Sequence, residues 1–247
     1  MDIKLKEEFI KKWQKYFNSV ELPITFYYTD QDEQLPLVKA GPRHCILSDL
    51  GKVRQGHTIA FDAESGICFG GRKYLGFSRT LRPDFEHFIS CGMPGKVEGE
   101  RYKRSPEIVR EYLNRAPQFT APAKDIVFKR WDTLEAADNP QVVIFFAKPD
   151  ILAGLYTLAN FESANQNVVI APWGSGCSSI IQHPYLEKDS ADPRGIIGMF
   201  DPSARPFVGP DELTFSIALN KFMLMVQNIE ESFLTTETWK AIQKRIQ

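Results

Sequence analysis

The sequence predicts an α/β fold, with a mixed α+β arrangement as the alternative, built by internal duplication of a βαβ-containing unit. Three observations lead to this prediction. Short β-branched and aromatic runs alternate with amphipathic segments, as they do in α/β proteins. A series of segments recurs in the same order about a hundred residues further along the chain. The run 141–147 is continuously apolar, which is typical of a strand covered on both faces.

The repeat consists of five pairs of segments. The pairs are 23–30 with 140–147, 46–50 with 151–155, 57–61 with 167–170, 89–94 with 197–202, and 105–109 with 209–213. They predict two halves, at about 20–115 and 138–232, related by a pseudo-twofold axis within a single domain spanning 1–247. Helices at the two termini would pack on these halves. Equivalent loops from the two halves would then line a cleft on the axis.

In the first half, local patterns predict four helices and three strands. Phe9, Trp13 and Phe17 have helical spacing, and Ser105 can cap a helix that has Pro106 at its first position. Strands are predicted where runs are β-branched and aromatic. The predicted helices are 2–19, 44–55, a short one near 72–75, and 105–114, and the predicted strands are 22–28, 58–61 and 85–91.

The second half is predicted to repeat this scheme after a joint at 116–124, which contains two prolines. Residues 126–131 are a strand or an extended segment. Asp211 and Glu212 suit the positive end of a helix dipole, which favours a long helix starting at Pro210. The predicted strands are 141–147, 168–171 and 195–200, and the predicted helices are 151–160, 177–183, 210–231 and 236–247.

Composition limits the class of protein. The chain has 247 residues, of which 43% are hydrophobic and 25% charged, and a formal net charge of -1. These values are ordinary for a globular protein and give no bulk attraction to nucleic acid or acidic lipid. No apolar run reaches the length of a membrane helix, and the charged N-terminus lacks a signal core. We therefore expect a cytoplasmic protein with reduced cysteines and a small-molecule ligand, while a homodimer stays open.

Two glycine-bearing turns, 65–73 and 173–179, are the strongest candidates for a ligand site. Each follows a predicted strand and opens a helix, where free amides bind anions or lower the pKa of a cysteine. Arg72 or Arg205 would supply positive charge. The alternative is that the glycines serve packing alone. The candidate ligand-binding residues are Cys68, Gly70, Gly71, Arg72, Trp173, Gly174, Gly176, Cys177, Ser178 and Arg205.

The cysteines could form a second kind of site. Four thiolates suit zinc or an iron–sulfur cluster, and the candidate ligands are Cys45, Cys68, Cys91 and Cys177. The first three have no cysteine-pair spacing of the CxxC type, and free cysteines are often small buried hydrophobes. A nucleophilic thiol is a further alternative, with His44 beside Cys45 as a base if the side chains meet.

Several segments together resemble a known family. They are Arg43–Cys45, Cys68–Gly76, Val142–Pro149 and Gly176–Cys177, of which the Cys-x-Gly-Gly element at 68–76 is the most specific. The chain resembles, from about residue 20 to 235, the bacterial and archaeal proteins grouped as domain of unknown function 169. That resemblance implies cysteines at 45, 68 and 177, and a Cys-Gly pair where this chain has Met199-Phe200-Asp201. It implies a cytosolic protein and no particular activity.

Three functions follow as hypotheses. The first is a binding protein or enzyme that holds a small anionic ligand or cofactor in the cleft between the halves. The second is a redox or metal protein in which the four cysteines hold zinc or an iron–sulfur cluster. The third is a non-catalytic interaction protein, with exposed aromatic residues forming a homodimer.

Overall fold

The computed structural model of the protein describes residues 1–18, 20–31 and 35–246, so the predicted helix ends at Ser19 and Gln247 lie outside the described residues. Within these ranges the helices are α1 (Ile3–Phe17), α2 (Ile46–Arg54), α3 (Phe69–Tyr74), α4 (Phe85–Phe88), α5 (Pro106–Arg115), α6 (Pro149–Ala159), α7 (His183–Glu187), α8 (Leu219–Asn228) and α9 (Glu237–Gln243). The strands are β1 (Ile24–Thr29), β2 (Ile59–Phe61), β3 (Asp125–Arg130), β4 (Val142–Ala147), β5 (Val169–Ile170), β6 (Gly195–Gly198) and β7 (Leu213–Ala218).

The described strands form one mixed sheet of the order β2-β3-β1-β4-β7-β6-β5, which confirms the α/β class. The pairings are antiparallel except for the parallel pair β5 and β6. The central strands β1 and β4 are adjacent, and β4 is paired along its whole length with β7. This explains the continuous apolar run of β4, because both of its faces are covered.

Two hydrophobic clusters cover the two faces of the sheet. On the first face, β4 contributes Val143 and Phe145, which pack under α1, α6, α8 and α9. On the second face, Val142 and Ile144 of the same strand pack with α2, α3 and a helical segment that runs from Gly176 into α7. Part of that segment, Ser178–Gln182, is π-helical. Alternation along β4 therefore assigns neighbouring residues to opposite faces.

One strand prediction is wrong. Residues 85–91 were expected to be extended, but Phe85–Phe88 form the short helix α4. Phe85, Phe88 and Ile89 have the i, i+3, i+4 spacing of one helical face, and the two phenylalanine rings lie 6.3 Å apart. A short apolar run does not by itself distinguish a strand from one helical turn.

The long helix predicted at 210–231 is also wrong over its first part. Leu213–Ala218 form β7, and α8 begins only at Leu219. Leu213, Phe215 and Ile217 alternate with Thr214 and Ser216, which is the period of a strand. Glu212, read as a residue suited to a helix dipole, instead pairs with Arg54 of α2 at 2.9 Å.

The internal duplication is not confirmed. Apart from the edge strand β5, the strand order is symmetric about the β1–β4 pair, with β3 and β7 next to it on either side. A twofold axis through that antiparallel pair would be perpendicular to the sheet and would keep each helix on its own face. However, α2 and α6, which the repeat pairs with each other, pack on opposite faces. The symmetric order also places β6, rather than the predicted β5, opposite β2.

Among the described residues, no helix combines the length and the apolar character that crossing a membrane requires.

Candidate functional site

A cavity of about 340 Å³ opens where the two glycine-bearing turns approach each other. This volume falls within the range of small-molecule pockets. Its lining comes from the starts of α2 and α3, from α4 and α5, and from the loops before the π-helical segment and after β6. The lining residues are Cys45, Leu47, Cys68, Phe69, Gly70, Gly71, Tyr74, Leu81, Arg82, Phe85, Phe88, Ile89, Tyr102, Tyr112, Trp173, Gly174, Ser175, Gly176, Cys177, Asp201, Pro202, Ser203 and Ala204.

Most of the residues singled out by sequence lie on this pocket. The first turn contributes Cys68, Gly70 and Gly71, and the second contributes Trp173, Gly174, Gly176 and Cys177. The turns reach the same place because α3 and the segment after Gly176 pack on the same face of the sheet. The structure thus brings the two predicted turns together, although the symmetry that suggested them is not confirmed.

Three predicted residues do not line the pocket, because their polar groups bind the protein itself. Arg72 donates to the backbone oxygen of Ser65 at 3.2 Å. Arg205 donates to the backbone oxygens of Gly209 at 3.0 Å and Pro210 at 2.8 Å, and also to that of Glu212. Ser178 is buried and donates to the backbone oxygen of Ser175 at 2.7 Å. The two expected cations therefore serve loop structure.

Cys45 and Cys68 are held side by side by their backbones. His44 and Ile67 form a parallel bridge, in which the amide of Cys68 donates to the oxygen of His44 at 2.9 Å. The next residues on each segment, Cys45 and Cys68, are therefore in register. Each of the two is also the residue that caps a helix, α2 for Cys45 and α3 for Cys68.

The Cys68 thiol is set up to ionise. The neighbouring Cys45 thiol is the largest cause that lowers the pKa of Cys68, to about 6. Burial opposes this shift, while backbone amides support it, including that of Gly71, which donates to Sγ at 3.2 Å. The proximity of Cys68 raises the pKa of Cys45, and burial raises it further. The surroundings therefore favour a thiolate at Cys68 beside a thiol at Cys45.

The other two cysteines differ from this pair. Cys177 lines the pocket but is buried, and burial raises its pKa well above the ordinary range, so it stays a thiol. Cys91 is exposed and is not a lining residue. In the described ranges, no group of three or more His, Cys, Asp and Glu side chains is arranged to hold a metal ion. A zinc or iron–sulfur site therefore stays a prediction, because the described residues do not supply a complete set of metal ligands.

His44 does not act on Cys45. Its Nε2 lies 2.5 Å from Oδ2 of Asp49, which is buried on α2 and also lies 3.2 Å from Nζ of Lys52. Its neighbour Arg43 places its guanidinium 3.9 Å from the ring centre of Phe69. The side chains of His44 and Cys45 therefore contact different groups, as is usual for consecutive residues at the start of a helix.

Two amides of the second turn already bind groups of the chain. Gly176 donates to Oδ2 of Asp201 at 3.4 Å, and Ser178 donates to Oγ of Ser175 at 3.2 Å. Asp201 also accepts from the amide and hydroxyl of Ser203, at 3.0 and 2.8 Å. The Asp201 carboxylate therefore occupies the position at the second turn where the sequence predicts an anionic ligand. At the first turn, the sulfur of Cys68 occupies the equivalent position.

Several pocket residues are not singled out by sequence. Arg82, from the segment before α4, places its guanidinium 4.1 Å from the ring centre of Phe88 and makes no salt bridge within the described residues. Tyr112 of α5 meets Trp173 edge to face, with ring centres 4.9 Å apart. Burial raises the pKa of Tyr74 and Tyr112, which keeps both hydroxyls protonated. The sequence pattern predicts that Tyr112 lies on a helix, but it does not indicate which face of that helix lines the pocket.

Residues 14–228 match the family model described as DUF169, uncharacterised ArCR. The chain belongs to this family. The match confirms the resemblance that the cysteine and glycine elements carry, and it includes every residue lining the pocket. No curated protein and no solved structure matches the chain significantly.

Proposed function

We propose that this DUF169 protein binds a small molecule with an aromatic or apolar body and an anionic group, in the pocket between the two glycine-bearing turns. The observation that carries the proposal is an aromatic-walled pocket lined by Arg82, whose guanidinium stacks on Phe88 and forms no salt bridge in the part of the chain that the structure describes. Phe85, Phe88 and Trp173 supply apolar surface for the body of the ligand. Such pockets combine an apolar lining with a few polar groups that fix orientation.

The electrostatics of the pocket support an anionic group at Arg82 rather than at the glycine turns. The Asp201 carboxylate already accepts hydrogen bonds from the amide of Gly176 and the hydroxyl of Ser203, and Cys68 Sγ accepts one from the amide of Gly71. A second cation lies close by, since Lys103 Nζ stands 3.7 Å from the ring centre of Trp173. A guanidinium binds carboxylate, sulfonate or phosphate with two parallel hydrogen bonds.

The test uses anilinonaphthalene sulfonate, an aromatic anion whose fluorescence rises in apolar surroundings. We expect one probe per chain and a dissociation constant about tenfold higher for Arg82→Gln, the effect of losing one charge-assisted hydrogen bond. Arg79→Gln is the matched control, because Arg79 is exposed and does not line the pocket. Equal binding by both variants, with unchanged far-UV circular dichroism, would refute the assignment of Arg82.

A cysteine-ligated metal is the second candidate, favoured by Cys45 and Cys68, which lie side by side on the pocket and are two of the thiolate ligands that zinc prefers. Metal analysis and an absorption spectrum of protein purified without air decide between the two. About one metal ion per chain with a thiolate-to-metal band would replace the ligand proposal. Either function fits the cytoplasmic location that we propose, since the four cysteines are free thiols, as in proteins of reducing compartments.

A further inference from the structure

We infer that Cys45 and Cys68 form a dithiol centre that reduces low-molecular-weight disulfides entering the pocket and is itself converted to a disulfide. The inference goes beyond the proposed binding function, because it depends only on the two sulfurs and their access to the pocket. Both cysteines line the pocket and both are partly exposed.

The backbone geometry permits the bond. Cys45 and Cys68 are in register directly after the parallel bridge between His44 and Ile67. Chains paired in this way lie about 4.8 Å apart. A disulfide requires Cα atoms separated by roughly 4.4–6.8 Å. Side chains at matched positions of a parallel pair leave their chains on the same side, and both cysteines line the one pocket, so the two sulfurs face the same side. Closing the bond therefore requires no large movement of the backbone.

The two cysteines have different roles. Cys68 is the nucleophile, because it stands at the start of α3 and the amide of Gly71 donates to its Sγ at 3.2 Å, an arrangement that favours a thiolate. Cys45 is the resolving thiol, since the backbone pairing holds it next to Cys68. Cys177 is buried and remains a thiol.

The reaction balances in two steps. The Cys68 thiolate attacks one sulfur of the small disulfide, forms a mixed disulfide and releases the other half as a thiolate. Cys45 then attacks Cys68 Sγ as its proton passes to solvent or to the departing group, which leaves as the second thiol. The protein loses two electrons, and the small disulfide gains two and becomes two thiols. The oxidant is the low-molecular-weight disulfide itself.

The experiment treats the reduced full-length chain with oxidised glutathione and maps tryptic peptides without reduction. Trypsin separates the four cysteines, because Lys52 and Arg54 lie between Cys45 and Cys68, and further basic residues separate the others. We expect a peptide pair linked through Cys45 and Cys68. A linkage from Cys68 to Cys177, or no intramolecular linkage, would overturn the inference.

Three variants assign the roles. Cys45→Ser should stop at one glutathione on Cys68, and Cys68→Ser should lower the rate of modification at position 45 by at least about tenfold. Cys91→Ser is the matched control and should behave as the unchanged protein, because Cys91 is exposed and outside the pocket. Unchanged modification in Cys68→Ser would contradict the assignment. Peptide mapping of the unchanged protein requires no variant. Its result also does not depend on whether anilinonaphthalene sulfonate binds at Arg82, so failure of the dithiol inference can be distinguished from failure of the proposed ligand binding.

Discussion

At the scale of single residues, the site depends on how each polar group is already partnered. The sequence identifies Cys68, Gly71 and Cys177 as pocket residues because a cysteine near glycines at the start of a helix is a local pattern. It does not show that Arg82 lines the pocket while Arg72 binds a backbone oxygen, because the partner of an arginine depends on tertiary contacts. Only the tertiary structure shows that Arg72 donates to Ser65.

The reactivity of Cys68 should depend on pH in a way that reflects its lowered pKa. Because the neighbouring Cys45 thiol and the Gly71 amide lower that pKa to about 6, iodoacetamide should alkylate Cys68 faster as the pH rises through that value. The rate should then level off above about pH 7, whereas glutathione in the same solution reacts faster up to about pH 9. The measurement is the alkylation rate by mass spectrometry. A Cys68 profile that follows glutathione would contradict the proposed thiolate.

The two turns offer a matched pair of glycine substitutions. A Cβ at Gly176 would lie 2.9 Å from Cβ of Ala204 and 2.9 Å from Sδ of Met199, so Gly176→Ala should lower the free energy of unfolding by about 1–3 kcal/mol. A Cβ at Gly70 would lie 4.0 Å from Sγ of Cys68 and 4.0 Å from Cε2 of Tyr74, which is ordinary contact, so Gly70→Ala should leave stability equal or slightly higher. Urea unfolding measures both. Equal effects would show that the second turn is not tightly packed.

At the scale of elements, the sequence predicts strongly periodic or capped segments and misjudges the short ones. α1, α5 and β4 agree with prediction to within two residues at the described ends, because spacing, a cap or a continuous apolar run specifies them. The sequence analysis misses α4, because four residues show little periodicity. It misses β7 because Asp211 and Glu212 favour a helix start, although the residues that follow alternate as in a strand. Sheet order could not be predicted, as it depends on contacts between distant segments.

The cap of α5 offers a test at this scale. Ser105 Oγ accepts from the amide of Ile108 at 3.5 Å, at the start of the helix that carries Tyr112 to the pocket. Ser105→Ala should lower the free energy of unfolding by about 1 kcal/mol, and Ser105→Asp should preserve it, because aspartate also caps helices. Thermal or urea unfolding measures the difference. If alanine and aspartate were equally destabilising, the cap would not be the reason for the serine.

At the scale of the whole molecule, one sheet separates the face that carries the cysteine pocket from the face covered by α1, α6, α8 and α9. The aromatic cluster on the face opposite the pocket includes Phe222, whose ring centre lies 5.0 Å from that of Phe9 and 5.1 Å from that of Trp131. The pocket is built above the other cluster. The sequence predicts the composition of such clusters from hydrophobic spacing, but it does not say which face a given helix covers.

Separation of the two faces predicts that stability and reactivity can be changed independently. Phe222→Ala should cost about 3–5 kcal/mol, since it opens a cavity among buried aromatic rings. The alkylation rate of Cys68 in the folded protein should stay unchanged. Phe207→Ala is the control for a lost aromatic ring, because Phe207 is exposed and should cost little. A changed Cys68 rate at full folding in Phe222→Ala would show that the faces are coupled.

The central claim is that the two turns form one ligand pocket that has Cys68 in its wall. The most direct test is to measure alkylation of Cys68 and Cys91 by iodoacetamide with and without saturating anilinonaphthalene sulfonate. The probe should slow alkylation of Cys68 and leave that of Cys91 unchanged, because Cys68 lines the pocket and Cys91 does not. A bound probe that leaves Cys68 unprotected, or that protects both cysteines equally, would contradict the claim.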